Sequence, residues 1–161
     1  MHNYVYQIEH DPISEKERTT YYHLPDWFRF AISDWAEDLT GERRKAAIDS
    51  LVSHFGSSCT ENADQLIFAP QVKQNYFQNN FDYFRSALSV LQEVDLNAFS
   101  GSTPAPVLHA AMRGLVESYD DDRSAYVYSD GELQTLDSWL RHTNLSPDTP
   151  LYLGGVIDYH S

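Results

Sequence analysis

The sequence is poor in cysteine, in lysine and in long apolar runs. Cys59 is the one cysteine among 161 residues, so no intrachain disulfide can form. That favours a reducing compartment over the setting of a small secreted scaffold. The opening segment MHNYVYQIEHD has no basic region followed by an apolar stretch, unlike a signal peptide. Apolar runs such as 66–69 are far shorter than the roughly 20 residues that span a bilayer. We therefore expect a cytoplasmic protein without a membrane segment.

Basic residues are also scarce, with 11 Lys and Arg against 24 acids and a net charge of −13. A surface this negative repels nucleic acid and anionic lipid, so we expect neither direct nucleic-acid binding nor membrane binding. The excess is uneven: segments 1–42 and 114–161 have net charges of −6 and −7, whereas 43–113 is neutral. The expected partner is a basic protein.

Motifs of catalysis are missing as well. The chain has no Gly-x-Ser-x-Gly, no Gly-rich phosphate loop and no histidines at metal-site spacing. Cys59 lies in the predicted loop GSSCTENAD, with no helix start behind it to lower its thiol pKa and no evident histidine partner. We therefore predict no catalytic residue, no cofactor and no enzymatic activity.

What the sequence does contain indicates a packed core, since 42% of residues are hydrophobic and 14% aromatic. Alternating and helical spacings predict one α+β domain over residues 1–161, with a small sheet of about four strands and about five helices packed on it. The predicted strands are 3–9, 65–69, 124–128 and 151–160. The predicted helices are 25–39, 42–55, 70–94, 107–119 and 131–142. The terminal strands are candidates for neighbours in the sheet.

Helix 70–94 is the most apolar predicted element, and its apolar residues follow one another at spacings of 3 and 4. We expect it to lie in the core, with Phe77, Phe81, Phe84 and Leu88 buried. The alternative is a heptad-like seam through which the chain forms a homodimer.

Helix 25–39 has aromatic residues on the side that should face solvent. With Phe28 buried, a rotation of about 100° per residue places Trp27 and Phe30 on the outer half, together with Asp34, Glu37 and Asp38. Either a second layer covers this half, or it is a recognition surface. Aromatic anchors with acidic flanks suit a basic partner, because the rings provide buried area and the charges steer association.

Acids also cluster in VESYDDDRSAYVY. This segment lacks the glycine and the downstream glutamate of an EF-hand loop, so it is a solvated helix end or an acidic docking surface. Carboxylates spaced about 6–7 Å apart on a helix or strand can imitate a phosphate backbone. The predicted partner-binding residues are Trp27, Phe30, Asp34, Glu37, Asp38, Glu117, Asp120, Asp121 and Asp122.

These features favour an acidic inhibitor or interaction protein that binds a basic, nucleic-acid-handling partner. Phage anti-defence proteins that mimic DNA often have this composition, and we favour this class because the acidity is dispersed over two segments. Toxin-immunity proteins that neutralise a basic nuclease often share the composition and are the alternative. The likeness is one of composition alone. A homodimeric adaptor is a further alternative.

The remaining alternative is a metal-dependent hydrolase that uses Asp158 and His160. At positions i and i+2 of a strand these side chains share a face, about 7 Å apart at the backbone. His10 and Asp11, at the end of the first strand, would complete the site if the strands pair. The competing interpretation is an ordinary polar strand end, so no metal ligand is predicted. The pair Gly154-Gly155 within the same strand indicates a bulge or a close backbone contact.

Overall fold

The computed structural model describes residues 2–102 and 105–161. They form two compact units. The sheet unit comprises the chain up to Lys73 together with Asp121–Ser161, and the helical unit comprises Gln74–Asp120. Among the described residues, no helix combines the length and the apolar character needed to cross a membrane.

The sheet unit is built on a seven-stranded sheet. Its strands are β1 (Asn3–Glu9), β2 (Trp35–Asp38), β3 (Cys59–Asn62), β4 (Gln65–Phe68), β5 (Ala125–Ser129), β6 (Glu132–Thr135) and β7 (Leu151–His160). The order is β3-β4-β7-β1-β5-β6, and β2 also pairs with β7. The β1–β5 pair is parallel and the other pairs are antiparallel. The predicted neighbourhood of the two terminal strands, β1 and β7, is confirmed.

The α-helices are α1 (Asp26–Ala31), α2 (Gly41–Phe55), α3 (Val72–Gln92), α4 (Ala105–Glu117) and α5 (Leu136–His142), and Ala98–Ser102 is π-helical. The fold is α+β, but the prediction of a small four-stranded sheet with five helices is wrong. The sheet has seven strands, and the π-helical segment brings the described part of the chain to six helices. Three four-residue strands, β2, β3 and β6, were not predicted.

Both faces of the sheet are covered. On one face, Phe28 of α1 and Leu24 pack against Val5, Tyr126 and residues 157 and 159 in one buried cluster. On the other face, the hydroxyl of Tyr6 donates to the carbonyl of Ala47 in α2 at 3.0 Å. Phe68 of β4 contacts both Phe55 of α2 and Trp139 of α5, so these two helices share that face.

The predicted helix 25–39 is wrong beyond Ala31. The chain leaves the helix there, and the backbone N–H of Asp34 donates to the carbonyl of His160 at 2.8 Å. Residues 35–38 then pair antiparallel with β7. Hydrogen bonds to β7 satisfy the backbone N–H and C=O groups that a longer helix would have paired within itself. Pairing with the sheet therefore outweighs the helical spacing of the apolar residues.

Two tight turns explain the other missed strands. Ala63 and Asp64 have φ values of 50° and 66° between β3 and β4, and Asp130 and Gly131 have 52° and 81° between β5 and β6. Positive φ at both central residues of a two-residue loop is the geometry of a type I′ hairpin. The predicted helix 131–142 is therefore wrong in its first turn. Thr135 instead caps α5 by accepting the N–H of Ser138.

Gly154 and Gly155 allow β7 to be approached closely, as predicted. A Cβ atom at Gly155 would lie 1.9 Å from the carbonyl oxygen of Thr19, and one at Gly154 would lie 2.1 Å from Oε1 of Gln7. That Oε1 accepts the N–H groups of Thr19 and Gly155 at 2.7 and 2.9 Å. Arg44, which is buried, donates to the carbonyl of Gly154 at 2.7 Å.

The helical unit contains most of α3, the π-helical segment and α4. Its two long helices approach closely at Gly114, where a Cβ atom would lie 3.2 Å from Cβ of Ala87 and 3.1 Å from the hydroxyl of Tyr83. The prediction that four residues of α3 are buried in the core is wrong for all four. Phe81 is 56% exposed. The other three predicted core residues, Phe77, Phe84 and Leu88, are half-buried.

Candidate functional site

Helix α1 is buried on one side and exposes aromatic side chains to solvent on the other. Phe28 is 0% exposed, whereas Trp27 is 50% and Phe30 is 80% exposed. Trp27 rests on Phe28 and on Tyr126, with ring centroids 5.9 and 6.5 Å away. The Arg29 guanidinium lies 5.4 Å from the Phe30 ring and pairs with Asp26. One side of α1 is thus fixed in the core, and the other offers two aromatic groups.

The acids that follow α1 have separate environments. Asp34 is exposed. Both carboxylate oxygens of Glu37 accept hydrogen bonds of 2.8 Å from the guanidinium of Arg43. Asp38 is exposed and accepts the backbone N–H of Tyr21 at 2.8 Å. Because β2 is a strand, Glu37 and Asp38 lie on opposite faces of the sheet. Of the three predicted acids that follow α1, Asp34 and Asp38 are exposed, whereas Glu37 is half-buried.

The acidic cluster 117–122 is divided between the two units. Glu117 and Asp120 are exposed residues of the helical unit. Asp121, in the sheet unit, pairs with Arg141 and accepts the hydroxyl of Thr135 at 2.7 Å. These contacts join the start of β5 to the β6–α5 segment.

Asp122 has a local role too. Its carboxylate accepts the backbone N–H and the hydroxyl of Ser124, both at 2.8 Å. Its own N–H donates to Asp137 at 3.0 Å. Asp121 and Asp122 thus organise the turn into β5, and a role in partner binding stays a prediction for all nine predicted residues.

A second constellation lies at the end of β7. His2 Nδ1 is 2.7 Å from Asp158 Oδ2, and His160 Nε2 is 3.3 Å from the same His2 nitrogen. Among residues 2–102 and 105–161, these three side chains are the one group of His, Cys, Asp and Glu whose donor atoms are arranged closely enough to hold a metal ion. We call them the His-Asp-His cluster.

Strand direction explains why His2 was missed and why His10 and Asp11 do not join the cluster. In the antiparallel β1–β7 pair, Asn3 is opposite Tyr159, whereas Glu9 is opposite Tyr152. The start of β1 therefore lies beside the end of β7. His10 and Asp11 follow the other end of β1, so their proposed participation is wrong.

Asp158 is an unusual member of this cluster because it is buried, with 2% exposure. Its Oδ1 has no hydrogen-bond partner in the part of the chain that the structure describes. The nearest cation is Arg43, whose Nη2 lies 3.7 Å from Oδ2 and whose guanidinium is bound to Glu37. Trp35 packs on the His160 ring at 5.1 Å and fixes its position.

A polar cleft of about 310 Å³ opens at the other end of β1. Glu9, His10, Asp130 and His142 line it. Burial raises the pKa of Glu9, although the N–H of Asp130 donates to its carboxylate at 3.1 Å and opposes that shift. The donor atoms of these four residues do not lie close enough together to hold a metal ion.

Cys59 is buried in β3, and burial raises the pKa of its thiol to about 12. A thiol in this environment stays protonated at neutral pH and is a poor nucleophile. The structure therefore gives Cys59 no features of a nucleophile. A search of protein-family models, of curated proteins and of solved structures gives no match to this chain.

Proposed function

We propose that this chain is a cytoplasmic, acidic interaction protein that inhibits a basic, nucleic-acid-handling partner. The observation that supports this best is the exposure of Trp27 and Phe30 on a helix whose opposite side is buried. Burying such a ring at an interface is worth about 1.5–3 kcal/mol. Trp is among the residues most enriched at interaction hot spots. The proposed anchors are thus Trp27 and Phe30.

Charge defines the class of partner. Asp26, Asp34 and Asp38 are exposed around these aromatic residues, and the chain as a whole has a net charge of −13. Such a surface attracts a basic protein and speeds the encounter with it. Since nucleic-acid-handling proteins have basic binding surfaces, occupation of that surface would block their substrate. Anti-defence and toxin-immunity proteins are both instances of this function and differ in the partner.

The test is capture of partners from a lysate of the source organism by the immobilised protein. Phe30→Ala is the informative variant, and Phe99→Ala is its matched control, because Phe99 is 75% exposed in the helical unit. We expect wild type and Phe99→Ala to retain the same basic nucleic-acid-handling protein and Phe30→Ala to lose most of it. Trp27→Ala should speed dissociation, at a cost of about 2 kcal/mol or more if Trp27 is a hot spot.

Inhibition needs its own measurement. Once the partner is identified, adding the wild-type protein should lower the binding or cleavage of nucleic acid by that partner, and excess nucleic acid should displace it. Equal capture by wild type and by Phe30→Ala would contradict the role of α1. Capture without any effect on nucleic-acid handling would contradict the inhibitory function.

A groove in the helical unit favours homodimerisation as a second candidate function. It measures about 420 Å³ and is lined mainly by apolar residues of α3 and α4, including Ala87, Val90, Val107 and Ala111. Apolar grooves between helices accept another helix, and a second copy of α3 or α4 would fit this one chemically. Light scattering at two concentrations tests the idea. Val90→Asp should convert a dimer into a monomer, and a wild-type monomer at both concentrations would exclude this function.

A further inference from the structure

The His-Asp-His cluster has properties that hydrogen bonding alone does not explain. His2 Nδ1 is within reach of both Asp158 Oδ2, at 2.7 Å, and His160 Nε2, at 3.3 Å. One imidazole nitrogen has either one proton or one lone pair, so it cannot make both hydrogen bonds at full strength. A single proton on His2 Nδ1 therefore cannot satisfy the hydrogen bonding of all three atoms. Each of the three is also a potential metal ligand.

The buried carboxylate gives a second, independent indication. Asp158 is 2% exposed, and its Oδ1 has no hydrogen-bond partner among the described residues. A buried carboxylate with an unsatisfied oxygen is costly, and it is stabilised by pairing with a cation or by coordination of a metal. Arg43 provides only a contact of 3.7 Å while it is bound to Glu37. A dication at the cluster would supply the missing positive charge.

We infer that His2, Asp158 and His160 form a binding site for a divalent transition-metal ion of the zinc class. Two imidazole nitrogens and one carboxylate oxygen suit Zn²⁺, Co²⁺ or Ni²⁺, whereas Mg²⁺ and Ca²⁺ prefer sites made of oxygen. In a tetrahedral site with bonds of about 2.0–2.1 Å, neighbouring ligand atoms lie about 3.3 Å apart. The separation of 3.3 Å between His2 Nδ1 and His160 Nε2 equals that value, whereas the 2.7 Å between His2 Nδ1 and Asp158 Oδ2 is a hydrogen-bond length that metal binding would widen. All three ligand atoms lie within 4.8 Å of one another.

The sheet determines what the ion would do. His2 precedes β1, whereas Asp158 and His160 belong to β7, so a bound ion would join the start of one strand to the end of its neighbour. Three protein ligands leave a fourth position for water, the arrangement of hydrolytic zinc sites. The site does not depend on the proposed interaction function, since Trp27 and Phe30 are not among its residues.

Titration of the metal-free protein with Co²⁺ tests this inference, because tetrahedral Co²⁺ with nitrogen ligands absorbs visible light. The full chain should be used without an added histidine tag. We expect one Co²⁺ per chain, displaced by Zn²⁺ but not by Mg²⁺. His160→Ala and His2→Ala should each weaken binding by at least about 10-fold, since even changes in the residues that support metal ligands cost 10–100-fold.

His54→Ala is the matched control, because His54 is an exposed histidine on α2 outside the cluster. It should leave Co²⁺ binding unchanged. Zn²⁺ should also raise the melting temperature of wild type and of His54→Ala, but not that of His2→Ala. The side chain of His2 is 61% exposed, so this variant should fold even if His160→Ala does not. Co²⁺ binding that both cluster variants retain, or that His54→Ala weakens equally, would overturn the inference, as would the absence of any binding to wild type.

Discussion

Two phenylalanines only two positions apart on α1 have opposite environments. Phe28 is 0% exposed and packs edge-on against Tyr126 and Tyr159, with ring centroids 5.3 and 4.9 Å away. Phe30 is 80% exposed and has a guanidinium beside its ring. The same residue type therefore has a structural role at one position and is available for binding at the other.

This contrast predicts different costs of truncation. Phe28→Ala should lower the free energy of unfolding by about 3–5 kcal/mol, because it removes a fully buried ring and leaves a cavity. Phe30→Ala should change it by less than about 0.5 kcal/mol, as is usual at exposed positions. Urea denaturation of both variants measures the difference. A large loss for Phe30→Ala would show that its ring stabilises the fold and would weaken the case for an anchor.

Cys59 gives a prediction about reactivity at the same scale. The residue is 3% exposed, and burial raises the pKa of its thiol to about 12. We expect a disulfide reagent to label the native protein slowly at neutral pH and the denatured protein rapidly, because only the thiolate attacks. Cys59→Ser should also retain partner binding. Rapid labelling of the native protein, followed by absorbance, would contradict the buried position of Cys59.

At the scale of elements, β7 depends on two glycines. The Cβ atom that alanine would add at Gly155 meets the backbone oxygen of Thr19 at 1.9 Å, and a backbone atom cannot rotate away as a side chain can. Gly155→Ala should therefore cost about 3 kcal/mol or more through overpacking and loss of the Gln7 hydrogen bond.

Gly101→Ala is the control for this prediction. An added Cβ there would have no neighbour within 4 Å, so stability should change by no more than about 0.5 kcal/mol. Thermal melts of the two variants give the comparison. If Gly155→Ala melts like Gly101→Ala, the close approach of residue 19 to β7 is not maintained in solution.

The strands that could be predicted from sequence are those with a strong side-chain pattern. The bounds of β1 and β7, predicted as 3–9 and 151–160, match the structure, and α2 is within one residue of its prediction. Strands β2, β3 and β6 have the sequences WAED, CTEN and ELQT, which are too short and too polar to show a period. Their existence depends on neighbours elsewhere in the chain and on the turns at Asp64 and Asp130.

The candidate sites, too, could be predicted only where they depend on a local side-chain pattern. The exposure of Trp27 and Phe30 follows from local helical geometry, so it was predictable even though the helix ends early. The shared face of Asp158 and His160 follows from the period of a strand. His2 could not be assigned, because the direction of β1 relative to β7 is a property of the whole sheet.

At the scale of the whole molecule, the acidity is divided between exposed charges and structural contacts. The sheet unit contains 19 acids and nine bases, and the helical unit contains five acids and two bases. Among the predicted partner-binding acids, four accept hydrogen bonds from groups of the same chain: Glu37, Asp38, Asp121 and Asp122. A continuous row of three free carboxylates at 120–122 is therefore not formed. Five predicted acids are exposed, and one of them, Asp122, has both carboxylate oxygens bound to Ser124. The other four are Asp34, Asp38, Glu117 and Asp120.

If Asp34, Asp38, Glu117 and Asp120 steer a basic partner, replacing them by the matching amides should slow association at low salt by about 10-fold or more and flatten its dependence on salt. Dissociation should change little, because steering acts on the encounter. The control replaces four other exposed acids, Asp11, Glu15, Glu93 and Asp148, and so changes the net charge equally. Stopped-flow or surface-based kinetics with the captured partner would measure both. An equal effect of the two sets would show that the net charge, and not these particular acids, attracts the partner. No effect of either would mean that the charge serves solubility alone, and the acidic-surface hypothesis would be wrong.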